Sequence, residues 1–236
     1  GARVTLVSRD PAHLEAGVQA LRSGGPLDET CLQVRTADLR DPAAALAALD
    51  SAEQDFGPVD VLVNSAGAAR RTPAAELTPQ AWHDAMQAKY FTYIHMMDPV
   101  VQRMGARGRG VIVNVIGSGG KVASPIHLPG GAANAALMLV SAGLAAAWGP
   151  RGVRVNAVNP GLTLTDRLKE GMAADARAQQ ISVEEAMARA HAKLPLGRMA
   201  RPEEIANAVV FLASPRASYI TGAILAMDGA VTPMVV

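Results

Sequence analysis

Three features of other protein classes are missing from this sequence. Its single cysteine, Cys31, excludes an internal disulfide, although one thiol says little about the redox compartment. The net charge is +1 and no run of five like charges occurs, which argues against nucleic acid or an anionic membrane as the main partner. No charged segment followed by an apolar one opens the chain, so we see no signal peptide and expect a cytoplasmic protein.

Charged residues are also missing from one long segment, residues 122–150, which is long enough to span a bilayer. Pro125, Pro129, Gly130 and Gly131 interrupt its first part, and the remainder is rich in alanine rather than in leucine or isoleucine. We therefore expect a loop followed by a helix that is buried on most sides, and no membrane contact.

What the sequence does contain is an alternation of short apolar segments and helix-like segments. Half of its 236 residues are apolar, which fits one α/β domain with a large core. The segments rich in Val, Ile and Leu are typical of parallel strands buried on both faces: 2–8, 32–36, 59–64, 110–116, 153–158 and 223–227. The predicted helices are 11–23, 42–56, 79–104, 131–148, 183–192 and 202–213. This alternation predicts a doubly wound, Rossmann-like parallel sheet in a single domain.

Local signals support several of these elements. Three helix starts show an N-cap residue before a proline at the first helical position: Asp10-Pro11, Asp41-Pro42 and Thr78-Pro79. Residues 165–195 are the longest stretch between predicted strands, and they are polar and rich in alanine. Because an excursion past the carboxyl end of a strand is where a substrate lid would lie, we expect this stretch to cover a substrate site.

Four segments carry the most specific pattern in the chain. They are VDVLVNSAG (59–67), GVRVNAVNPGLTLT (152–165), LGRMARPEEIANAVVFLAS (196–214) and YITGAILAMDGA (219–230). In this order and spacing they resemble the short-chain dehydrogenase/reductase family over essentially the whole chain. The resemblance implies an oxidoreductase with one dinucleotide-binding domain over residues 1–236 and the strand order 3-2-1-4-5-6-7.

The resemblance also implies where a nicotinamide dinucleotide would bind. NAD-preferring members usually carry an acid at the position of Ser8, whereas here Arg9 follows a serine, as is common in NADP(H) users. A guanidinium can clamp a 2′-phosphate that a carboxylate would repel, so we expect NADP(H) rather than NAD(H). The alternative is a surface arginine at a strand end. The other implied cofactor-binding residues are Asp38 and Leu39 at the adenine, Asn64, Ala66 and Gly67 in the turn after a strand, and Gly161, Thr163 and Thr165 at the nicotinamide amide.

The first strand of the family and its glycine-rich turn do not occur in this chain. No TGxxxGxG motif is present, and the resemblance places both features before Gly1. That strand belongs between the second and the fourth, so its removal would leave two buried edges with unpaired backbone groups. We therefore expect the native protein to extend beyond Gly1, and a chain without the turn to bind a dinucleotide poorly.

The catalytic tetrad of the family, Asn, Ser, Tyr and Lys, is also altered. The tyrosine and lysine of YxxxK fall on Gly130 and Asn134, and the asparagine position falls on Lys89. The serine position falls on Gly117, with Ser118 next to it. The asparagine and lysine positions have therefore exchanged residue types. In the family the tyrosine is the acid/base, the lysine supports it, and the serine orients the carbonyl.

The helix pattern gives an independent view of Lys89. At about 100° per residue it falls inside the apolar stripe that includes Trp82, Met86 and Tyr93. A lysine on a buried face is costly unless its ammonium is paired, solvated or deprotonated. Lys89 therefore either extends past the rim of the helix into solvent or supplies the cation lost at Asn134.

The acid and the carbonyl-binding group have weaker candidates. His127, three residues before Gly130, can act as an acid near neutral pH, or it is an ordinary histidine on a loop. Ser118 keeps a hydroxyl near the expected place, or it belongs to a plain Gly-Ser loop. Tyr93 packs on the stripe of Lys89 and has the pattern of a structural residue.

Two functions are compatible with these observations. The first is a divergent NADP(H)-dependent oxidoreductase that acts on a small carbonyl or alcohol through the rearranged site described above, without a metal. The second is a non-catalytic relative that binds a ligand or serves as a scaffold subunit. The helices 79–104 and 131–148 match those that pair between subunits in the family, so we expect a homodimer or homotetramer.

Overall fold

The computed structural model describes residues 1–26, 28–67 and 71–234, and all of the strand pairs in it are parallel. Its strands are β1 (Val4–Ser8), β2 (Leu32–Thr36), β3 (Val61–Asn64), β4 (Gly110–Val115), β5 (Val153–Pro160) and β6 (Ile224–Met227). Within the described residues they form a two-stranded sheet, β1–β2, and a four-stranded sheet in the order β3–β4–β5–β6. This is the predicted order with the predicted first strand left out.

The edges of the two sheets explain an error in the sequence prediction. In the described part of the chain β1 pairs only with β2, and β3 pairs only with β4. Val61 and Val63 on β3 are 41% and 45% exposed. The expectation that every strand is buried on both faces is therefore right for most of β5 and for half of β4. It is wrong for the other four strands, β1, β2, β3 and β6, in which at most one residue is buried.

Helices follow the strands, and most of them lie where the sequence predicts them. They are α1 (Pro11–Ser23), α2 (Pro42–Phe56), α3 (Pro79–Ala85), α4 (Thr92–Arg107), α5 (Leu128–Trp148), α6 (Asp166–Gln179), α7 (Val183–Ala192) and α8 (Pro202–Ala213). The side chains of Asp10, Asp41 and Thr78 each accept a hydrogen bond from a backbone N–H of the first helical turn. The three predicted N-caps are therefore confirmed.

Three helix predictions need correction. The predicted helix 79–104 is in fact α3 and α4 joined by a π-helical segment, Met86–Phe91, and it continues to Arg107. Helix α5 begins at Leu128 rather than at residue 131, and α6 has no counterpart among the predicted helices. The π-helical segment matters for function, because such segments often mark a functional site inside a helix.

The helices cover both faces of the larger sheet. Ile112 on β4 joins a core cluster with residues of α4, α5 and β5, whereas its neighbour Val113 joins a cluster with α8. This alternation across the strand confirms the Rossmann-like α/β arrangement. Residues 128–151, which contain α5, are long and apolar enough to cross a membrane by length and composition alone. In this fold, however, α5 packs against β5 through the buried Leu137 and Ala145.

Candidate active site

A buried polar network ties the carboxyl ends of β3 and β4 to α5. The Asn64 amide donates to Asn114 Oδ1 at 2.9 Å, and the Asn114 amide donates to Ser141 Oγ, also at 2.9 Å. Ser141 in turn donates to the carbonyl of Leu137 at 2.7 Å. Asparagine at the end of a strand therefore joins neighbouring strands through its amide, and it fixes the sheet edge at which ligands bind in such folds.

Lys89 lies in the π-helical segment and its ammonium points inward. Nζ donates to Tyr93 Oη at 2.6 Å, to the Val115 carbonyl at 3.1 Å and to the Ala66 carbonyl at 3.3 Å. These three acceptors match the three N–H bonds of an ammonium group. Lys89 therefore does not extend past the rim of the helix, and its cation is held where the chain leaves β3 and β4.

The turn after β3 approaches this lysine closely because it contains Gly67. The residue has a φ of +104°, and a Cβ built there would lie 2.6 Å from the Ala88 carbonyl oxygen and 2.9 Å from Lys89 Cδ. Any other residue would therefore push the turn away from the π-helical segment. Gly67 lets the backbone carbonyl of Ala66 reach the ammonium.

His127 and Asn134 both lie against a glycine-rich loop that follows β4, and a Cβ at Gly119 would be within 4 Å of both side chains. A Cβ at Gly117 would lie 3.3 Å from Asn134 Nδ2, and a Cβ at Gly119 would lie 3.1 Å from His127 Cδ2. Asn134 is buried at the start of α5 and His127 is half-buried just before it. The structure thus brings two of the sequence-predicted site residues together around Gly117 and Gly119, which follow the Val115 carbonyl that holds Lys89.

Ser118 borders a cavity of about 450 Å³ together with Asn159 and Asp228. Asn159 is buried, and its amide donates to the Ile116 carbonyl at 2.7 Å. This bond joins the ends of β4 and β5. Ser118 is therefore placed at the junction of these two strands, with residues that the sequence analysis did not single out.

The predicted adenosine end of the site contains two arginines in different situations. Arg40 Nε donates to both carboxylate oxygens of Asp38, at 2.9 and 3.0 Å. This bond, helped by the charge of Arg9, lowers the pKa of Asp38 from its usual value of 3.8 to about 2. Within the described residues Arg9 itself makes no salt bridge, and it interacts with Asp38 only through the longer-range attraction of their charges. The Leu39 carbonyl lies 2.9 Å from His95 Nδ1.

At the predicted nicotinamide end, the segment after β5 is fixed by backbone hydrogen bonds. Gly161 N–H donates to the Met227 carbonyl at 3.1 Å, and a Cβ at Gly161 would lie 2.9 Å from Asp228 Cα. Thr163 forms an isolated parallel bridge with Ala200. Thr165 immediately precedes α6, so these residues lead from the sheet edge into the segment 165–195.

A cavity of about 650 Å³ lies beside this segment. Its lining combines apolar residues with basic ones: Leu164, Met187, Ala188, His191, Arg198, Met199 and Arg201. Residues 165–195 contribute α6 and α7, which pack together over buried Leu168 and Met172. The predicted excursion therefore forms a helical pair that borders a cavity next to Thr163 and Thr165.

Arg198 in this lining is held by Glu204 at the start of α8. The Glu204 carboxylate accepts from both terminal nitrogens of Arg198 at 2.7 Å and from Arg201 N–H at 2.9 Å. These bonds, that of the Arg198 side chain first, lower the pKa of Glu204 from its usual value of 4.5 to about 2. The carboxylate form is therefore the one that stabilises the cavity wall.

We expect Glu204→Gln to lower the thermal unfolding temperature at neutral pH. The folded pKa lies below the ordinary one, so the stabilisation is complete above pH 4.5 and is lost as the pH falls through about 2. Differential scanning calorimetry of both proteins across pH should therefore show a constant difference from pH 8 to 5 that shrinks below pH 4.5. A difference that persists unchanged at the lowest pH would mean that the carboxylate charge is not responsible.

Two contacts near the site were not predicted from the sequence. Tyr93 was assigned a structural role, yet its hydroxyl accepts a hydrogen bond from the Lys89 ammonium at 2.6 Å. The spacing of four residues on one helix was the available signal. The second contact joins the loop after β3 to α6, where Arg71 Nη1 lies 2.9 Å from Asp175 Oδ2. No sequence signal links residues so far apart along the chain.

Comparison with known proteins gives one family and several relatives. A family model described as enoyl-(acyl carrier protein) reductase matches residues 1–232. D-threitol dehydrogenase from Mycolicibacterium smegmatis is 37% identical over 235 residues, which cover 98% of this chain and 84% of that protein.

Solved structures agree with this fold. An actinorhodin polyketide ketoreductase with NADPH superimposes with a TM-score of 0.92 at 29% identity, over 98% of this chain and 88% of the other. An NADPH-bound short-chain oxidoreductase from Pseudomonas aeruginosa PAO1, which contains an atypical catalytic centre, superimposes with a TM-score of 0.84 at 30% identity. The match covers 100% of this chain and 89% of the other. A xylitol dehydrogenase bound to NAD⁺ superimposes with a TM-score of 0.89 at 22% identity, over 96% of this chain and 88% of the other. At this identity the match shows only that the two proteins share a fold.

Proposed function

Because this chain belongs to the short-chain dehydrogenase/reductase family of oxidoreductases, we propose that it is an NADP(H)-dependent enzyme that acts on a carbonyl or alcohol through a rearranged active site. One observation carries the proposal: the Lys89 ammonium is directed to the carboxyl ends of β3 and β4. The family has an asparagine at this position, and the lysine of its YxxxK motif is Asn134 here.

The residues present fit the two ends of a nicotinamide dinucleotide. Arg9 makes no salt bridge within the described residues and stands at the end of β1, where it would bind a 2′-phosphate through charge-assisted hydrogen bonds. Gly67 and Gly161 have no side chain, which allows backbone segments to approach each other closely at both positions. When bound, the dinucleotide supplies or accepts the hydride. Asp38 and Leu39 would flank the adenine. Asn64 and Ala66 belong to the turn after β3, which would lie next to the ribose. Thr163 and Thr165 would bind the nicotinamide amide.

The protein's own contribution would be positioning and a proton source. The three N–H bonds of the Lys89 ammonium already meet protein acceptors. The ammonium would therefore stabilise negative charge on the carbonyl oxygen of the substrate through its positive charge rather than through a direct hydrogen bond. His127 would supply or accept the proton near neutral pH, and the Asn134 amide would orient the substrate or a water molecule between them. The Ser118 hydroxyl would bind the substrate from the side of the site that lies next to β5. Gly117 and Gly119 leave space beside His127 and Asn134 that larger side chains would fill.

Residues 165–195 would act as the substrate lid. Arg71, in the loop after β3, forms an ion pair with Asp175 on α6, and both side chains are mostly buried. The same loop is bonded to the segment before α5 through Thr72 N–H and the Ile126 carbonyl at 2.8 Å. The pair therefore holds the lid against the two loops that border the site.

We expect Asp175→Asn to raise the substrate KM without changing NADPH affinity. Loss of a partly buried ion pair of about 1 kcal/mol should raise KM roughly fivefold, because the lid closes less firmly over the substrate. Steady-state kinetics measure the effect, and Glu170→Gln, which removes an exposed carboxylate from the same helix, is the matched control. Equal KM values in Asp175→Asn and wild type would show that this pair does not hold the lid.

The partners and location of the protein follow the same reasoning. We propose a small-molecule substrate and a cytoplasmic location. We also propose a homodimer or homotetramer in which α4 and α5 meet their counterparts, since α5 presents small residues and the 77% exposed Leu139 on its outer face. Analytical ultracentrifugation tests this assembly, and a monomer at micromolar concentration would contradict it.

The alternative is a non-catalytic relative that binds a ligand without turning it over. The altered YxxxK positions, Gly130 and Asn134, favour it. Calorimetric titration with NADPH, followed by assays with a panel of ketones and aldehydes, separates the two functions. Binding with turnover supports the enzyme, whereas tight binding without turnover supports the alternative.

A further inference from the structure

Lys89 and Tyr93 form a close phenol–ammonium pair on one helix. They are four residues apart, so their side chains lie on the same face. Nζ is 2.6 Å from the Tyr93 hydroxyl and 4.3 Å from the centre of its ring. The residue types of the missing YxxxK motif are therefore present in reversed order, on the helix that contains the π-helical segment.

Tyr93 cannot take the place of the family's tyrosine. Its side chain is fully buried, with 0% exposure, and its hydroxyl donates to the Val115 carbonyl at 2.7 Å. A group in this position cannot meet a substrate. The same carbonyl accepts from Lys89, so the ammonium, the phenol and the carbonyl form a closed triangle at the end of β4.

We propose that Tyr93 is a positioning residue that fixes the Lys89 ammonium in the active site. The inference rests on the proposed function, because it assigns a purpose to the position of Lys89. A lysine side chain has four rotatable bonds, and backbone carbonyls alone define its position poorly. The phenol accepts from the ammonium, donates to Val115 and packs its ring against the charge, so it fixes the lysine from one side.

The main test is Tyr93→Phe, which removes only the hydroxyl. We expect kcat to fall about tenfold, with KM and NADPH affinity unchanged, because a hydrogen bond to a charged group is lost. The limb of the pH–rate profile that reports the lysine should move, which a purely structural role for Tyr93 would not produce. Tyr90→Phe is the matched control, because Tyr90 lies on the same segment and the hydrogen bonds of the described residues show none between it and Lys89.

A double variant tests whether Tyr93 acts through Lys89. If it does, adding Tyr93→Phe to Lys89→Met should cause no further loss of kcat. Multiplying losses would overturn the inference. So would a Tyr93→Phe enzyme with the kcat and the pH profile of Tyr90→Phe.

A labelling experiment keeps the inference testable without turnover. Trinitrobenzenesulfonate modifies free amines, and mass spectrometry compares its rate at Lys89 with that at the 80% exposed Lys169. We expect Tyr93→Phe to raise the relative rate at Lys89 severalfold, and an unchanged ratio would contradict the positioning role. If Lys89→Met keeps full turnover while labelling responds as expected, the proposed catalytic role fails and the positioning of Lys89 stands.

Discussion

Lys89→Met is expected to lower kcat at least 100-fold while NADPH binds with nearly unchanged affinity. The change removes the cation that faces the ends of β3 and β4 and keeps an apolar side chain of similar length. A preorganised charge that stabilises a developing oxyanion contributes roughly 2.7–4 kcal/mol, which corresponds to 10²–10³ in rate. The loss should appear in kcat and in kcat/KM alike, because the interaction forms in the transition state.

The controls for this prediction address charge and folding separately. Arg109→Met removes a 74% exposed positive charge at the opposite end of β4 and should leave turnover unchanged. Lys89→Arg keeps the cation in a planar group that fits the three acceptors less well, so we expect an intermediate rate. If Lys89→Met turns over at the rate of Arg109→Met, the ammonium has no part in catalysis and Lys89 is a structural link between two loops.

Arg9→Ala is expected to weaken NADPH binding roughly 10- to 150-fold, which corresponds to the 1.5–3 kcal/mol of a hydrogen bond to a charged group. NADH lacks the 2′-phosphate, so its affinity should change less than about twofold. Isothermal titration calorimetry with both dinucleotides measures the two effects. Arg22→Ala, which removes a guanidinium paired with Glu29 near the end of α1, is the matched control.

The change that Arg9→Ala causes in the ratio of NADPH affinity to NADH affinity shows whether Arg9 binds the 2′-phosphate. Arg9 forms no salt bridge with Asp38 within the described residues, because the Asp38 carboxylate bonds to Arg40, which is the main reason that the pKa of Asp38 falls to about 2. Asp38 therefore stays ionised at every pH used for the titrations. An equal loss of NADPH and NADH affinity in Arg9→Ala would show a structural role for the arginine, and wild-type preference for NADH would overturn the cofactor assignment.

Elements with strong local signals were predictable from the sequence. Asp41 before Pro42, for example, fixes the start of α2 through a side-chain bond to the first turn. The break between α3 and α4 was not predictable, because residues 86–91 contain neither glycine nor proline and keep the apolar stripe. Helix α6 was missed because Thr165, its N-cap residue, makes no capping bond and its sequence is polar.

The candidate site shows the same division. The predicted stripe correctly placed Lys89 and Tyr93 on an inward face, and the structure supplies the acceptors that make the position of Lys89 tolerable. The stripe was wrong for Trp82, which is 40% exposed, because the π-helical segment that follows it changes the helical repeat. The hydrogen bond between Tyr93 and Lys89 could not be predicted, since a tyrosine at this spacing is also an ordinary core residue. The Arg71–Asp175 pair depends on how the lid folds back over the sheet edge, which no local pattern encodes.

Hydride transfer between NADP(H) and a carbonyl–alcohol pair is the proposed activity of this protein. The most direct measurement mixes the protein with NADPH and a panel of ketones and aldehydes, follows the loss of NADPH absorbance, and identifies the alcohol by mass spectrometry. We expect stoichiometric NADPH consumption and alcohol formation in at least one mixture, and neither in the same mixture with Lys89→Met. Tight NADPH binding with no alcohol from any member of the panel, or equal rates in the two proteins, would contradict it.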